Sequence, residues 1–348
     1  MTTLKLDQVS KLYRATSRAG GLTPALRKVS FELRPGEVIS LIGESGSGKT
    51  TIGRVLLRLV QPTSGTVTFD GKDIATYSAR GLKDYYRQVQ GVFQDPFSSY
   101  NPVYRADRVF DLVRRSYFGA AGDKEWSARV DQALDEVALN PGDVLGKYPH
   151  QLSGGQQQRL LIARALLLDV KVLVADEIIS MLDASTRVDV LNLLVKLKRQ
   201  GLAVLFITHD LSLGNYVSDQ TILLRHGAIV EMGATEKVFG NPRHEYTKML
   251  LSAVPELHRK WQHSPIGPVP AAAGAPLPGA AGGAPAATLT RASLVDEMAH
   301  AEQVVKRDLR AVLGTRRAAA SGRSPVAVAL EPPVLREFEP GHLVADPE

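Results

Sequence analysis

Five residues, Val38-Ile39-Ser40-Leu41-Ile42, make an apolar run of strand length, and the run leads straight into Gly43-Glu44-Ser45-Gly46-Ser47-Gly48-Lys49-Thr50-Thr51. Ile52, Val55, Leu56 and Leu59 follow at helical spacing. A buried strand, a glycine-rich turn and a helix in that order predict an α/β unit whose turn opens on a helix N-terminus. Glycines let successive backbone N–H groups curl around an anion, and the helix N-terminus adds partial positive charge. Lys49 can reach terminal phosphates, and the Thr50 hydroxyl suits Mg²⁺. Gly43, Ser45, Gly46, Gly48, Lys49, Thr50 and Thr51 are therefore candidate nucleotide-phosphate ligands.

The remaining pattern fits that start. Leu4 to Val9 and Val29 to Leu33 alternate as strands, and apolar runs at Lys171 to Ala175, Ala203 to Thr208 and Thr221 to Leu224 are separated by helical or turn-rich segments. This is the signature of a mostly parallel sheet with crossover helices. Between Tyr104 and Leu139 the spacing turns helical, and Pro141 and Pro149 punctuate its end, which predicts a helical insert at about 100–165. With 348 residues, the chain is long enough for a large domain plus an appendage. The expected boundaries are a folded unit over 1–257, a linker over 258–290 and a C-terminal helix and tail over 291–348. The linker is rich in Ala, Pro and Gly, so it is expected to be disordered. Although Ser264 to Thr290 is uncharged, it lacks the large apolar side chains that a membrane span needs. In the tail, Leu294, Met298, Ala301, Val305, Leu309 and Val312 predict one amphipathic helix, docking on the core or on a partner.

A second pointer to chemistry is the strand Val172-Leu173-Val174-Ala175, which ends in Asp176-Glu177. In open α/β sheets ligands bind at the carboxyl edge, where these two acids emerge. Asp176 suits an outer-sphere Mg²⁺ contact, and Glu177 can polarise a water attacking a γ-phosphate. Alone, two acids after a strand are common as solvated loop residues; the phosphate loop raises their standing.

Leu152-Ser153-Gly154-Gly155-Gln156 carries the reading to a family. Together with GESGSGKTT, VFQDPFSSYNP, LVADEIISMLDAS and FITHD, it resembles the ATP-binding subunits of ABC transporters over residues 1–257. The resemblance implies an α/β phosphate-loop cassette with a mixed sheet, a helical subdomain, and a mostly disordered C-terminal extension bearing one amphipathic helix. It implies ATP and Mg²⁺ as cofactors, with Thr50, Gln94 and Asp176 on the metal side. It makes Glu177 catalytic, with Gln94 sensing Mg²⁺ and the attacking water, and His209 contacting γ-phosphate. Tyr13 would stack on adenine, with an ordinary strand-end tyrosine as the lesser alternative. Ser153, Gly154 and Gly155 would address the ATP held by an opposing subunit, and Asp183 would be the acid of the loop that crosses that dimer.

One departure is informative: Ile178 stands where the family usually has Pro after the catalytic Glu, so φ is not pinned there and the Glu177 to Asp183 loop is expected to differ. FQDPFSSYNP, SMLDAS, HEYTKMLLSAVPEL and PPVLREFEPGHLVA are most similar to the oligopeptide and dipeptide importer ATPases, a branch that also serves nickel and some oligosaccharides. That resemblance implies a second, paralogous ATPase subunit, two membrane-spanning permeases, an indirect solute-binding protein, and a peripheral place on the cytoplasmic face of the membrane. A soluble ABC ATPase unconnected with transport would usually show a long coiled-coil insert or two cassettes. The net charge of +6 is diffuse, without the dense basic run of a nucleic-acid arm, so no nucleic acid is expected. With no Cys, thiol nucleophiles, disulfides and Cys-held clusters are excluded. The first residues lack an apolar core of the secretory type.

Overall fold

The computed structural model describes residues 3–14, 22–253 and 332–345. The linker at 258–290 and the helix expected from Leu294 to Val312 lie outside the described residues. Strands β1 (Leu4–Arg14), β2 (Leu22–Leu33), β4 (Ser64–Phe69) and β5 (Lys72–Asp73) form an antiparallel sheet in the order β2-β1-β4-β5. Strands β3 (Val38–Ile42), β6 (Val89–Val92), β7 (Val172–Asp176), β8 (Ala203–Thr208), β9 (Gln220–Arg225), β10 (Ala228–Ala234), β11 (Leu335–Glu339) and β12 (His342–Ala345) form a second sheet, ordered β11-β12-β10-β9-β3-β8-β7-β6. From β6 to β9 all neighbours are parallel, and β10, β12 and β11 are added antiparallel.

The α-helices among the described residues are α1 (Lys49–Leu56), α2 (Ala79–Gln88), α3 (Arg108–Tyr117), α4 (Asp123–Glu136), α5 (Pro141–Val144), α6 (Gly154–Leu166), α7 (Ala184–Arg199), α8 (Leu211–Val217), α9 (Thr235–Gly240) and α10 (Glu245–Ser252). The central strands are buried on both faces, so they read as continuous apolar runs whose alternate residues serve two cores. Val172, Val174, Leu205 and Ile207 join α1 and the antiparallel sheet in one core. Leu173, Ala175, Val204 and Phe206 join the helices of the insert, among them Phe110, Val130, Leu134 and Leu160, together with α7 residues Val190 and Leu194. The insert and the strand ends that carry the acids therefore share one continuous core.

The sequence pattern assigns no strand to 335–345, yet the structure has a hairpin there that continues the large sheet from β10. Its strands are five and four residues long, too short for alternation to register, and their stability comes from pairing with a strand a hundred residues earlier. His342 is the anchor. It is fully buried, and its Nε2 lies 2.7 Å from Oε1 of the equally buried Glu231 on β10.

Candidate functional site

The parallel register sets four strand ends side by side. Val92 of β6 pairs with Ala175 of β7, Asp176 with Ile207 of β8, and Thr208 of β8 with Ile42 of β3. The segments leaving those ends carry Gln94, Asp176-Glu177, His209 and Gly43–Thr51. Residues spread over 167 positions of sequence thus reach one carboxyl edge, which is where sheets of this kind bind ligands.

The loop from Gly43 to Gly48 turns on positive φ at Gly46 (82°) and Gly48 (109°). At Gly48 a Cβ would also lie 2.5 Å from the Ala25 carbonyl oxygen, so both backbone angle and space require glycine there. Lys49 opens α1 and folds back, its Nζ donating to the carbonyls of Gly43 at 2.6 Å and Glu44 at 2.8 Å. Burial pushes the Lys49 ammonium below its ordinary range, opposed by Glu177, Asp176 and Glu44. Burial likewise pushes the Asp176 carboxyl up; the Thr50 side chain opposes the shift, the charge of Glu177 adds to it, and Lys49 counters it. Asp176 Oδ1 and Ser47 Oγ are buried without a hydrogen-bond partner. Orphaned oxygens beside a partly desolvated cation mark a site built for polar atoms from outside the chain. Hard oxygen donors of this kind fit Mg²⁺.

Glu177 has a left-handed backbone, φ 51°, unusual for a residue with a side chain. Its N–H donates to the Ile207 carbonyl at 2.9 Å, and its carbonyl accepts from the Ser180 N–H at 3.1 Å and the Ser180 hydroxyl at 2.9 Å. The next two residues, Ile178 and Ile179, are buried in the core shared with the insert. In this chain the apolar side chain of Ile178 anchors the turn, a function that a fixed proline φ would otherwise serve. The left-handed turn directs the Glu177 carboxylate toward β8, where Oε1 lies 3.4 Å from Nδ1 of His209. Gln94, two residues past β6, is exposed. Tyr13 sits near the end of β1, 37% exposed, with the Lys11 ammonium 5.2 Å from its ring centre.

The Ser153-Gly154-Gly155 segment begins α6 on a different element. Ser153 is its N-cap: the Ser153 hydroxyl accepts from the Gln156 N–H at 3.2 Å, and the Gln156 side-chain oxygen accepts from the Ser153 N–H at 2.9 Å. Such a box leaves the hydroxyl proton and the N–H groups of Gly154 and Gly155 available at a positive helix end. Asp183 is the N-cap of α7. Its carboxylate accepts from the Ser185 hydroxyl, the Thr186 N–H and the Thr186 hydroxyl, at 2.6, 3.0 and 2.8 Å, and these bonds hold it well below the usual carboxylate range. Its bonded partners all lie in the first turn of its own helix.

Residues 26–180 match the ABC transporter family, and residues 230–279 match the oligopeptide/dipeptide transporter, C-terminal region. A Brucella ovis protein named "Putative peptide import ATP-binding protein" is 43% identical over 256 residues, spanning 73% of this chain and 80% of that one. The chain belongs to the ABC transporter ATP-binding family. The cassette is also 46% identical over 233 residues to the glutathione import ATP-binding protein GsiA of Escherichia coli K12, covering 66% of this chain and 37% of GsiA. Among solved structures, a dimeric ATP-binding cassette in a post-hydrolysis state bound to ADP and Pi superposes with TM-score 0.60 at 30% identity, over 67% of this chain and 98% of that one. Another, cbiO1 from Clostridium perfringens, part of an ABC transporter complex, gives 0.59 at 28% identity, covering 68% and 90%. Like its relatives, this cassette is an ABC ATPase that binds ATP. No helix among its described residues is long and apolar enough to cross a membrane.

Three features of the site involve residues that are not among the candidate ligands. Ser47 contributes an orphaned hydroxyl. Thr186 fills the space that a Cβ on Gly155 would need, 2.3 Å away. Tyr246 of α10 accepts a hydrogen bond from the Glu44 N–H at 3.0 Å. The last two are tertiary contacts between segments far apart in sequence, so spacing alone carries no signal for them.

Proposed function

We propose that this chain is the ATP-hydrolysing subunit of a membrane importer for oligopeptides or dipeptides, peripheral on the cytoplasmic face. The observation that carries the reading is the division of labour within one cassette. A phosphate loop with its acids occupies the strand edge, while α6 begins elsewhere with an exposed Ser153 hydroxyl at a positive helix end. Two half-sites of this kind become whole when two cassettes meet. The second match, at 230–279, and the names of the relatives support peptide as the cargo class.

In that reading Lys49 exchanges the carbonyls of Gly43 and Glu44 for the terminal phosphates of ATP, and the N–H groups of Gly46, Gly48, Thr50 and Thr51 line them, with Gly43 and Ser45 shaping the turn. Thr50, Asp176 and Gln94 would hold Mg²⁺, which supplies neutralisation of phosphate charge. Glu177 orients and polarises a water toward the γ-phosphorus, and His209 contacts the γ-phosphate. The water oxygen bonds to phosphorus as the bridging P–O bond breaks, giving ADP, inorganic phosphate and one proton. Tyr13 stacks on adenine. Ser153, Gly154 and Gly155, with Asp183 beside them, face the nucleotide of the opposing cassette, so closure follows ATP binding and hydrolysis reverses it. The opposing cassette is a paralogous subunit, and the pair drives two permeases.

The test is affinity purification of the tagged chain from detergent-solubilised native membranes, followed by native mass spectrometry. The expected assembly holds one copy of this 348-residue chain, one different ATPase subunit and two membrane subunits. Two copies of this chain without a second ATPase overturn the heterodimer, and recovery without membrane subunits overturns the transport role.

A further inference from the structure

The peptide group joining Gly43 to Glu44 is held at both ends. Its carbonyl oxygen, on Gly43, accepts from Lys49 Nζ at 2.6 Å, and its N–H, on Glu44, donates to the Tyr246 hydroxyl oxygen at 3.0 Å. A peptide unit is planar and turns as one body, so fixing both of its polar ends fixes the direction in which the loop leaves β3. Lys49 belongs to the loop itself, whereas Tyr246 arrives from α10, 202 positions later in the chain.

Tyr246 is in turn placed by the C-terminal hairpin, along two routes. The first is a chain of hydrogen bonds. His342 Nε2 lies 2.7 Å from Glu231 Oε1, and the same oxygen accepts from the Arg243 N–H at 2.9 Å, while Glu231 Oε2 accepts from the His244 N–H at 3.1 Å. The buried carboxylate therefore ties the turn before α10 to the hairpin. His244 then caps α10, its Nδ1 accepting from the Tyr246 N–H at 3.0 Å. The second route is packing, because the Tyr246 ring is 3% exposed in a small apolar cluster with Leu223, Val230, Val238 and Ala345, the last of these from β12.

We propose that Tyr246 is a positioning residue of the phosphate loop, and that the C-terminal hairpin sets it there through the buried Glu231–His342 pair. The inference rests on the reading of Gly43–Thr51 as the nucleotide site. Its physical content is preorganisation: with the first peptide of the loop clamped, the N–H groups that follow are already directed when a nucleotide arrives, so less ordering is left for binding to offset. The Tyr246 hydroxyl oxygen is engaged by the Glu44 N–H, so its effect on nucleotide passes through the loop.

The experiment measures equilibrium binding of ADP to the full-length chain by calorimetry, with thermal unfolding of every variant alongside. Tyr246→Phe deletes one oxygen. A lost hydrogen bond of ordinary strength predicts ADP affinity lowered about three- to ten-fold. His342→Ala should lower it comparably, and the double variant should bind no worse than the weaker single, because the hairpin acts through Tyr246. His342→Gln, which keeps a donor for Glu231, should recover most of the loss, and it carries the hairpin arm if His342→Ala does not fold. Val130→Ala, a core change in α4 remote from the loop, should lower stability without moving the affinity, which separates positioning from general loosening. Unchanged affinity in Tyr246→Phe, or losses that multiply in the double variant, overturns the inference. Lys49→Ala separates this failure from a deeper one. Strong loss there with none in Tyr246→Phe sinks only the role of Tyr246, whereas parental affinity in Lys49→Ala sinks the reading of the loop and this inference with it.

Discussion

Asp176 and Glu177 are neighbours in sequence with opposite burdens. Asp176 is buried with one oxygen unpartnered, and burial raises its pKa, whereas Glu177 sits in a left-handed turn near His209. A carboxyl whose pKa is raised by folding gives up its proton more readily in the unfolded chain. The unfolded state thus binds fewer protons between the ordinary and the raised pKa, and stability falls as pH rises through that window. Asp176→Asn removes the titration. The ligand-free variant should melt higher than the parent at neutral pH, by about 2–4 °C for each kcal/mol recovered, and the advantage should vanish in acid. Glu177→Gln is its companion in the turnover assay. Both variants should lose nearly all steady-state ATP hydrolysis in the assembled complex, and near-normal turnover in Glu177→Gln would refute its role with the attacking water. Melting curves at neutral and acid pH with parallel turnover assays decide both points. The stability cost at Asp176 is what a binding site exacts when its ligand is away.

Between elements, the critical joint lies where α6 and α7 begin. Gly155 leaves no room for a methyl group, because a Cβ there would stand 2.3 Å from Thr186 Cγ2, and Thr186 also donates its hydroxyl to the α7 cap, Asp183. Gly155→Ala should therefore cost about 1–3 kcal/mol by overpacking. Thr186→Ser removes the obstructing methyl and keeps the hydroxyl. Combined with Gly155→Ala it should restore the melting temperature, a coupling that two independent sites would not show. Equal destabilisation with and without Thr186→Ser would place the strain elsewhere. This joint also marks the limit of what spacing encodes. Ser153 and Asp183 are legible as helix starts because a cap and its N–H partner lie three residues apart. The Gly155 to Thr186 contact bridges 31 positions, and no local pattern demands it.

At the scale of the whole molecule, legibility follows sequence distance. The run from Val38 to Leu56 announces strand, turn and helix because all three are local, and Val172 to Glu177 announces a strand ending in acids for the same reason. The antiparallel sheet made of β1, β2, β4 and β5 and the hairpin on β10 are pairings between segments whose partners lie elsewhere, so alternation hints at strands without naming their neighbours. The Ile178 departure is visible as a missing proline, but the left-handed backbone is at Glu177, one residue earlier, held by bonds to β8 and Ser180. A chain cut after 331 exposes this difference in kind. Those amides between Glu231 and Gly233 that point to β12, and not to β9 on the other side, should exchange with deuterium much faster than in the full chain, while those of β3 and β8 keep their protection. Uniform loss of protection would mean that the hairpin supports the entire sheet and not its edge alone.

The Glu231 to His342 pair also fixes an order of events during synthesis. Glu231 leaves the ribosome 111 residues before His342, an interval of roughly 6 to 22 s at ordinary elongation rates. For that time the nascent sheet ends on an unpaired strand with a carboxylate awaiting its partner. Either feature is recognisable to chaperones and proteases as unfinished. The arrival of one histidine closes both. A message broken inside the Ala/Pro/Gly stretch would yield a product with every nucleotide-binding motif present and the edge of its sheet open, and the cell could discard it by that edge.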